Sequence, residues 1–288
     1  TGVCPDCNVS LTYHKNDGTL RCHYCGYHMP IPKTCPSCGT GELLPQGFGT
    51  EKIEEELAAI FPQAAIERLD ADTARSSRNY RRIIASFEQR KTDILVGTQI
   101  ITKGFDFGGV ALVGILNADN MLNYPDFRAG ERAFQMMMQV GGRAGRREEQ
   151  GTVVIQTAQP EHPVVRQARD SDYDAMIRSQ LAERRAFFYP PFCRLIAVLL
   201  RHRDHALLWK AAAAFGTEAR TRFGRRLLGP EPPAVDRIRG QFRLQFLLKI
   251  EKQLPVAAVK KELSGLFDRL HAVPEFRPVD IVVDVDPQ

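Results

Sequence analysis

Gln139-Val140-Gly141-Gly142-Arg143-Ala144-Gly145-Arg146 is the stretch from which this chain is best read. Arg143 and Arg146 stand three apart, so on a helix they share a face. The glycines between and beside them let a neighbouring surface come close. A guanidinium pair at this spacing suits the crowded charge of a triphosphate, because arginines stabilise a transferring phosphoryl group. Gln139 precedes the pair and completes the pattern Gln-x-x-Gly-Arg-x-Gly-Arg.

Upstream of this block, apolar runs alternate with helical patterns. Thr50 is placed to cap a helix beginning Glu51-Lys52-Ile53, with acidic residues in its first turn, and Phe61-Pro62 ends it. Residues 65–69 read as a strand, 80–90 as a helix, 93–97 as a buried strand, 111–116 as a strand, 126–140 as a helix and 152–157 as a strand. Strands alternating with helices imply a parallel sheet. Thr98-Gln99-Ile100-Ile101-Thr102-Lys103-Gly104-Phe105-Asp106 directly follows the 93–97 strand. Loops at the carboxyl ends of parallel strands are where ligands bind. A threonine hydroxyl there can bond a nucleic-acid phosphate, and an aspartate can accept from a ribose hydroxyl. The pattern Thr-x5-Gly-x-Asp resembles motif V of superfamily 2 helicases, and the Gln139–Arg146 block resembles their motif VI. The resemblance implies an ATP site shared with another lobe. The sequence contains no Gly-x4-Gly-Lys-Ser/Thr and no Asp-Glu-x-His box. The phosphate cradle and the magnesium ligand are therefore absent from this chain, and by itself it is expected to be inactive.

Six of the seven cysteines form three Cys-x-x-Cys knuckles: Cys4/Cys7, Cys22/Cys25 and Cys35/Cys38. Proline or glycine beside them suits tight turns around a metal. Two knuckles fourteen residues apart fit a tetrahedral zinc ribbon. Redox disulfides are the rival reading, disfavoured in a cytosolic chain. Six thiolates make one complete four-sulfur site, at Cys4, Cys7, Cys22 and Cys25, with Cys35/Cys38 as half of a second. A further knuckle upstream of Thr1 would complete it, and the start without Met fits a fragment. His14, His23 and His28 are substitute ligands in principle. Cys193, in an apolar stretch, reads as a small buried hydrophobe.

A 43% hydrophobic and 25% charged composition is ordinary for a globular protein, and no apolar run reaches the length of a membrane span. The net charge is +5. Residues 188–288 hold 17 Lys/Arg against 11 Asp/Glu, an excess of six, while the remaining residues hold 22 against 23. The positive excess thus sits in the C-terminal third and favours a polyanionic partner, with a merely solvated basic surface as the alternative. Read as one strand, Arg237-Ile238-Arg239-Gly240-Gln241-Phe242-Arg243 puts Arg237, Arg239 and Arg243 on one face and Phe242 on the other, toward a core.

Together, "GFGTEKIEEELAAIFP", "RLDADT", "DILVGTQIITKGFDF", "PDFRAGERAFQ", "QVGGRAGR", "YPPF", "LGPEPPAVDRIRGQFRLQFLLK" and "VDVDP" resemble the C-terminal half of the PriA family of replication-restart helicases. The resemblance covers essentially the whole chain. It departs from the family at Phe105, usually histidine, and at Gly141 or Gly142, usually alanine. It implies an α/β fold: a RecA-like parallel-sheet lobe two with a Cys4 zinc-ribbon insertion and a small α/β C-terminal domain. The expected division is zinc region 1–45, lobe 46–160, helical linker 161–187 and basic domain 188–288. By position, Gln139, Arg143 and Arg146 would face ATP and its Mg2+ from lobe two. Asp106 would lie near the ribose with Gly104 giving clearance, and Thr98 and Lys103 near DNA phosphate. The implied protein is a cytoplasmic, nucleoid-associated 3′–5′ DNA helicase. Its implied partners are forked and single-stranded DNA, the acidic tail of single-stranded DNA-binding protein, and helicase-loader proteins of the primosome. Two other readings stand beside it: a non-catalytic zinc-containing nucleic-acid adaptor with a vestigial nucleotide face, and an RNA helicase, disfavoured by the zinc knuckles and the C-terminal segment.

Overall fold

The computed structural model describes residues 2–14, 17–32, 34, 38–39, 41, 49–70, 73–102, 110–142 and 151–287. The chain divides into two compact units, Thr1–Pro45 with Ala182–Gln288, and Gln46–Leu181. The zinc segment therefore groups with the C-terminal domain rather than with the lobe that follows it in sequence.

The N-terminal segment holds three short strands, β1 (Thr12–His14), β2 (Thr19–Arg21) and β3 (His28–Pro30), antiparallel in that order. Three-residue strands bury little apolar surface. Their interior is instead Cys4, Cys7 and Cys22, with Val9, Leu11 and Tyr27 packed around them.

The Gln46–Leu181 unit alternates helices and strands: α1 (Thr50–Ile60), β4 (Ile66–Leu69), α2 (Ser77–Glu88), β5 (Ile94–Gly97), β6 (Leu112–Ile115), α3 (Asp119–Leu122), α4 (Ala129–Gly141), β7 (Thr152–Ile155), α5 (Pro163–Arg169) and most of α6 (Tyr173–Ala186). β4 pairs parallel with β5, and β6 with β7. Successive strands can pair in parallel only through a crossover, which α2 supplies between β4 and β5 and α3 with α4 between β6 and β7. Among the described residues these are two separate ladders, each with its own core. Leu69, Ile83 and Ile84 fill the first, and Ile115, Phe134 and Met137 the second. At the carboxyl end of β5, a Cβ on Gly97 would sit 2.3 Å from the Leu69 carbonyl oxygen, so β4 and β5 can close there only without a side chain. Two expectations are corrected. Gly49, not Thr50, is the N-cap of α1; Thr50 lies inside the helix and gives its hydroxyl to Asp70 instead. The stretch expected as a linker supplies Val164, Val165, Ala168 and Met176 to the second core, because α5 and the start of α6 turn an apolar face toward α4.

The C-terminal domain contains β8 (Cys193–His202), α7 (His205–Phe223), β9 (Leu227–Glu231), β10 (Arg237–Ile238), β11 (Gln241–Glu251), α8 (Val256–Ala272) and β12 (Asp280–Val285). The sheet runs β10-β11-β8-β12, with β9 also on β11. β8 and β11 pair over ten consecutive positions, Cys193↔Glu251 to His202↔Phe242. Alternation decides the faces: Leu244, Phe246, Leu248 and Ile250 point one way, with Ile196, Val198 and Leu200 from β8. α7 and α8 cover that face with Leu208, Phe215, Leu263 and Leu266. Asp204 starts α7 by accepting the Leu207 N–H at 3.0 Å. Cys193 is buried as expected, its thiol directed at the Phe188 carbonyl at 3.2 Å, and burial pushes its pKa up. No helix among the described residues is long and apolar enough to cross a membrane.

Phe246 is fully buried and meets Phe215 edge-on, with ring centroids 5.0 Å apart. Phe246→Ala is expected to cost the C-terminal domain about 3–5 kcal/mol. Calorimetry should record a lower melting transition for this variant, while a matched change at a surface position such as Lys260→Ala leaves it in place.

Candidate metal centre and nucleic-acid interface

Each of the first two knuckles is closed by a backbone bond. The N–H after the second cysteine returns to the carbonyl of the first: Asn8 to Cys4 at 3.1 Å, and Gly26 to Cys22 at 3.0 Å. That geometry needs left-handed backbone after the knuckle. Gly26 has φ 81° and Asn8 has φ 50°, the two residue types that tolerate it best. The turns bring the sulfurs of Cys4, Cys7, Cys22 and Cys25 within 4.8 Å of one another. Cys4 and Cys25 Sγ are 3.6 Å apart, far longer than a disulfide and close to the ~3.8 Å between thiolates around a tetrahedral zinc.

Burial pushes the thiols of Cys4, Cys7 and Cys25 up. Cys22 moves the other way, to about 7: burial opposes its charge, but N–H groups of Cys25 and Tyr24 donate to its sulfur and prevail. Burial opposes the charged form of all four thiols, and a dication among them would let all four deprotonate. Four sulfur donors leave a tetrahedral ion no open position, so the role they fit is structural. His14 and His23 lie ring to ring at 5.5 Å, and neither joins the four-sulfur group, which is the metal-competent cluster among the described residues. Cys38 is exposed, and Cys35 lies outside the described residues.

The arginines of the C-terminal domain do not share a face, and that expectation is corrected. The chain reverses between them. Arg239 (φ 53°) and Gly240 (φ 75°) form a two-residue turn between β10 and β11, with Ile238 opposite Gln241. Arg237 therefore lies opposite Phe242 and covers its ring, 5.5 Å from the centroid, while its Nη2 donates to the Pro5 carbonyl at 2.6 Å. Arg239 sits at the turn with its side chain exposed. Arg243 alternates to the other face, opposite Arg201 on β8, and donates to the Val235 carbonyl at 3.0 Å. Burial pulls its pKa down, and the Arg201 charge adds to the effect. Phe242 is half-buried against the core, as expected.

In the other unit, Thr98 is exposed directly after the carboxyl end of β5, and Gln139 is exposed near the end of α4. Lys103, Gly104, Asp106, Arg143 and Arg146 lie outside the described residues. A polar network went unread in the sequence. Asp70, buried just past β4, accepts from the Thr50 hydroxyl at 2.6 Å and the Thr73 N–H at 2.9 Å. Arg68 reaches Asp70 at 3.1 Å and Glu51 at 3.0 Å. Burial pushes the Asp70 carboxyl up, but the bonds from Thr50 and Thr73 and the Arg68 charge hold it below its ordinary value. The available signal was Arg-x-Asp at a strand end, which puts both side chains on one side.

Three family models match the chain. Residues 4–30 match the PriA DNA helicase Cys-rich region domain, residues 48–148 the helicase conserved C-terminal domain, and residues 185–288 the primosomal protein N C-terminal domain. Among curated proteins, replication restart protein PriA of Bacillus subtilis is 37% identical over 99% of this chain and 35% of its own length. That of Treponema pallidum is 40% identical over 100% of this chain and 43% of its own length, and that of Haemophilus influenzae 35% identical over 99% and 39%. The chain thus spans about two-fifths of the length of these relatives.

Metal analysis of the purified chain is expected to find one tightly held zinc. Cys22→Ser should release it and unfold the ribbon, whereas Cys38→Ser should leave it bound. Because protons compete for the thiolates, occupancy should fall as the pH is lowered. Retention of zinc by Cys22→Ser, or equal loss from both variants, would refute the assignment.

Proposed function

The chain belongs to the PriA family, and from that premise we propose that it is the part of an ATP-driven 3′–5′ DNA helicase that carries lobe two, the zinc ribbon and the C-terminal domain. In this reading the whole protein recognises stalled forks and reloads the replisome from the cytoplasm, at the nucleoid. The observation that supports it is the concurrence, in one chain, of a motif V pattern whose Thr98 directly follows the parallel strand β5, a motif VI pattern whose Gln139 lies near the end of α4, and a four-sulfur ribbon.

Thr98 and Lys103 bind DNA phosphate, Asp106 holds the ribose, and Gly104 keeps the approach open. Gln139, Arg143 and Arg146 meet the nucleotide held with Mg2+ by the other lobe. Guanidinium charge there lowers the barrier by stabilising negative charge that spreads over the transferred phosphoryl group. Cys35 and Cys38 supply half of a second zinc site. Of the three arginines, Arg239 serves the DNA side of the basic C-terminal domain, which also takes the acidic tail of single-stranded DNA-binding protein, while Arg237 and Arg243, on opposite faces, are held by the Pro5 and Val235 carbonyls. Primosome loader proteins complete the set of partners. Arg239 is the freest of the three for this role, since its backbone, not its guanidinium, is engaged.

Two experiments test this reading. In the protein completed with its other lobe, Arg143→Ala or Arg146→Ala should cut ATP turnover by about a thousandfold, with DNA binding retained. Near-wild-type turnover in both variants removes these arginines from the ATP site. In the present chain, fork-DNA affinity should fall steeply with salt, and Arg239→Ala should reduce the slope of log K against log salt by about one. An unchanged slope means that Arg239 touches no phosphate.

A further inference from the structure

The first knuckle does not stand by itself. Four contacts join residues 5–8 to residues 236–240, more than 220 positions away in sequence. The Arg239 N–H donates to Cys7 Sγ at 3.3 Å. The next N–H, that of Gly240, donates to the Asp6 carbonyl at 2.8 Å. The Arg237 guanidinium reaches the Pro5 carbonyl at 2.6 Å, and the Asn8 amide donates to the Asp236 carboxylate at 3.2 Å. Ile238 packs against the cysteine cluster from the same side.

We infer that the β10–β11 turn is part of the metal centre: it supplies an N–H to a zinc thiolate, so that zinc binding and the order of the C-terminal sheet edge are linked.

The argument rests on the turn's backbone. A two-residue turn with both residues left-handed leaves the Arg239 and Gly240 N–H groups outside the β10–β11 ladder, where consecutive N–H groups make an anion-binding concavity. The knuckle fills that concavity with a sulfur and a carbonyl. Four thiolates around a dication carry a net charge of −2, and an N–H donated to one sulfur offsets part of it. Partners of this outer kind fix ligand orientation, and their loss typically weakens metal binding 10–100-fold. In return the knuckle covers β10, an edge strand of the sheet and only two residues long. A coupling of this kind is reciprocal: whatever the turn adds to zinc affinity, zinc adds to the order of the turn.

The test uses the zinc-loaded chain and the chromogenic chelator 4-(2-pyridylazo)resorcinol. Gly240→Val forbids the left-handed backbone without a clash, because open space surrounds the position. Gly224→Val is the control, since Gly224 is also left-handed with open space around it but closes α7 away from the knuckle. Zinc release is expected to be about tenfold faster from Gly240→Val and near the wild-type rate from Gly224→Val. In the unmodified chain, removing zinc should speed amide exchange at Arg239 and Gly240 but not at Leu248 in the middle of β11. If Gly240→Val does not fold, Asp236→Ala, which removes the acceptor of the Asn8 amide and leaves the knuckle backbone alone, takes its place with a smaller acceleration expected. Wild-type release from the turn variant, or exchange at Arg239 and Gly240 that ignores zinc, overturns the inference. The inference depends on the zinc assignment, and the outcomes separate: a chain that binds no zinc defeats both, whereas a loaded chain with unaltered release defeats the linkage alone.

Discussion

Four sulfur atoms confined within 4.8 Å cannot all be ionised unless a cation lies among them. That electrostatic constraint organises the N-terminal segment. Its strands are three residues long and its interior is mostly cysteine, so its apolar burial is too small to hold it together. Metal binding supplies the missing free energy in domains of this size. The two knuckle turns, with Asn8 and Gly26 left-handed, are the backbone's contribution to the same end.

Local features of the fold were legible because they are written in local signals. The strand before Thr98 lies one residue inside its expected bounds, and the helix leading to Gln139 was expected where α4 stands. The knuckle spacing identified the four ligands that the structure brings together. What escaped notice depends on contacts distant in sequence. Nothing in Val164, Val165 or Met176 says that they complete the core beneath α4 rather than line a connector. Nor does the knuckle sequence announce the turn against which it rests.

The arginines of the C-terminal domain show how one misread residue reverses an argument. Alternation along a single strand would have put Arg237 and Arg243 together. Arg239-Gly240 is instead a turn, and the reversal sends Arg237 to the Phe242 ring and Arg243 to the opposite face, against Arg201. The cue was present: a glycine inside an apparent strand marks a break or a close backbone approach. Asp70 makes a related point. Its partners Thr50, Arg68 and Thr73 are near in sequence, yet their convergence on one carboxylate depends on α1 lying beside β4.

The separation of 232 residues between Cys7 and Arg239 also has a meaning in time. Ribosomes add roughly 5–20 residues per second, so the ribbon emerges some 10–50 seconds before the turn that receives it. Any metal captured in that interval is held by the knuckles without the C-terminal domain. The contact with Arg239 is then a late fastening, made after the ribbon has long left the ribosome.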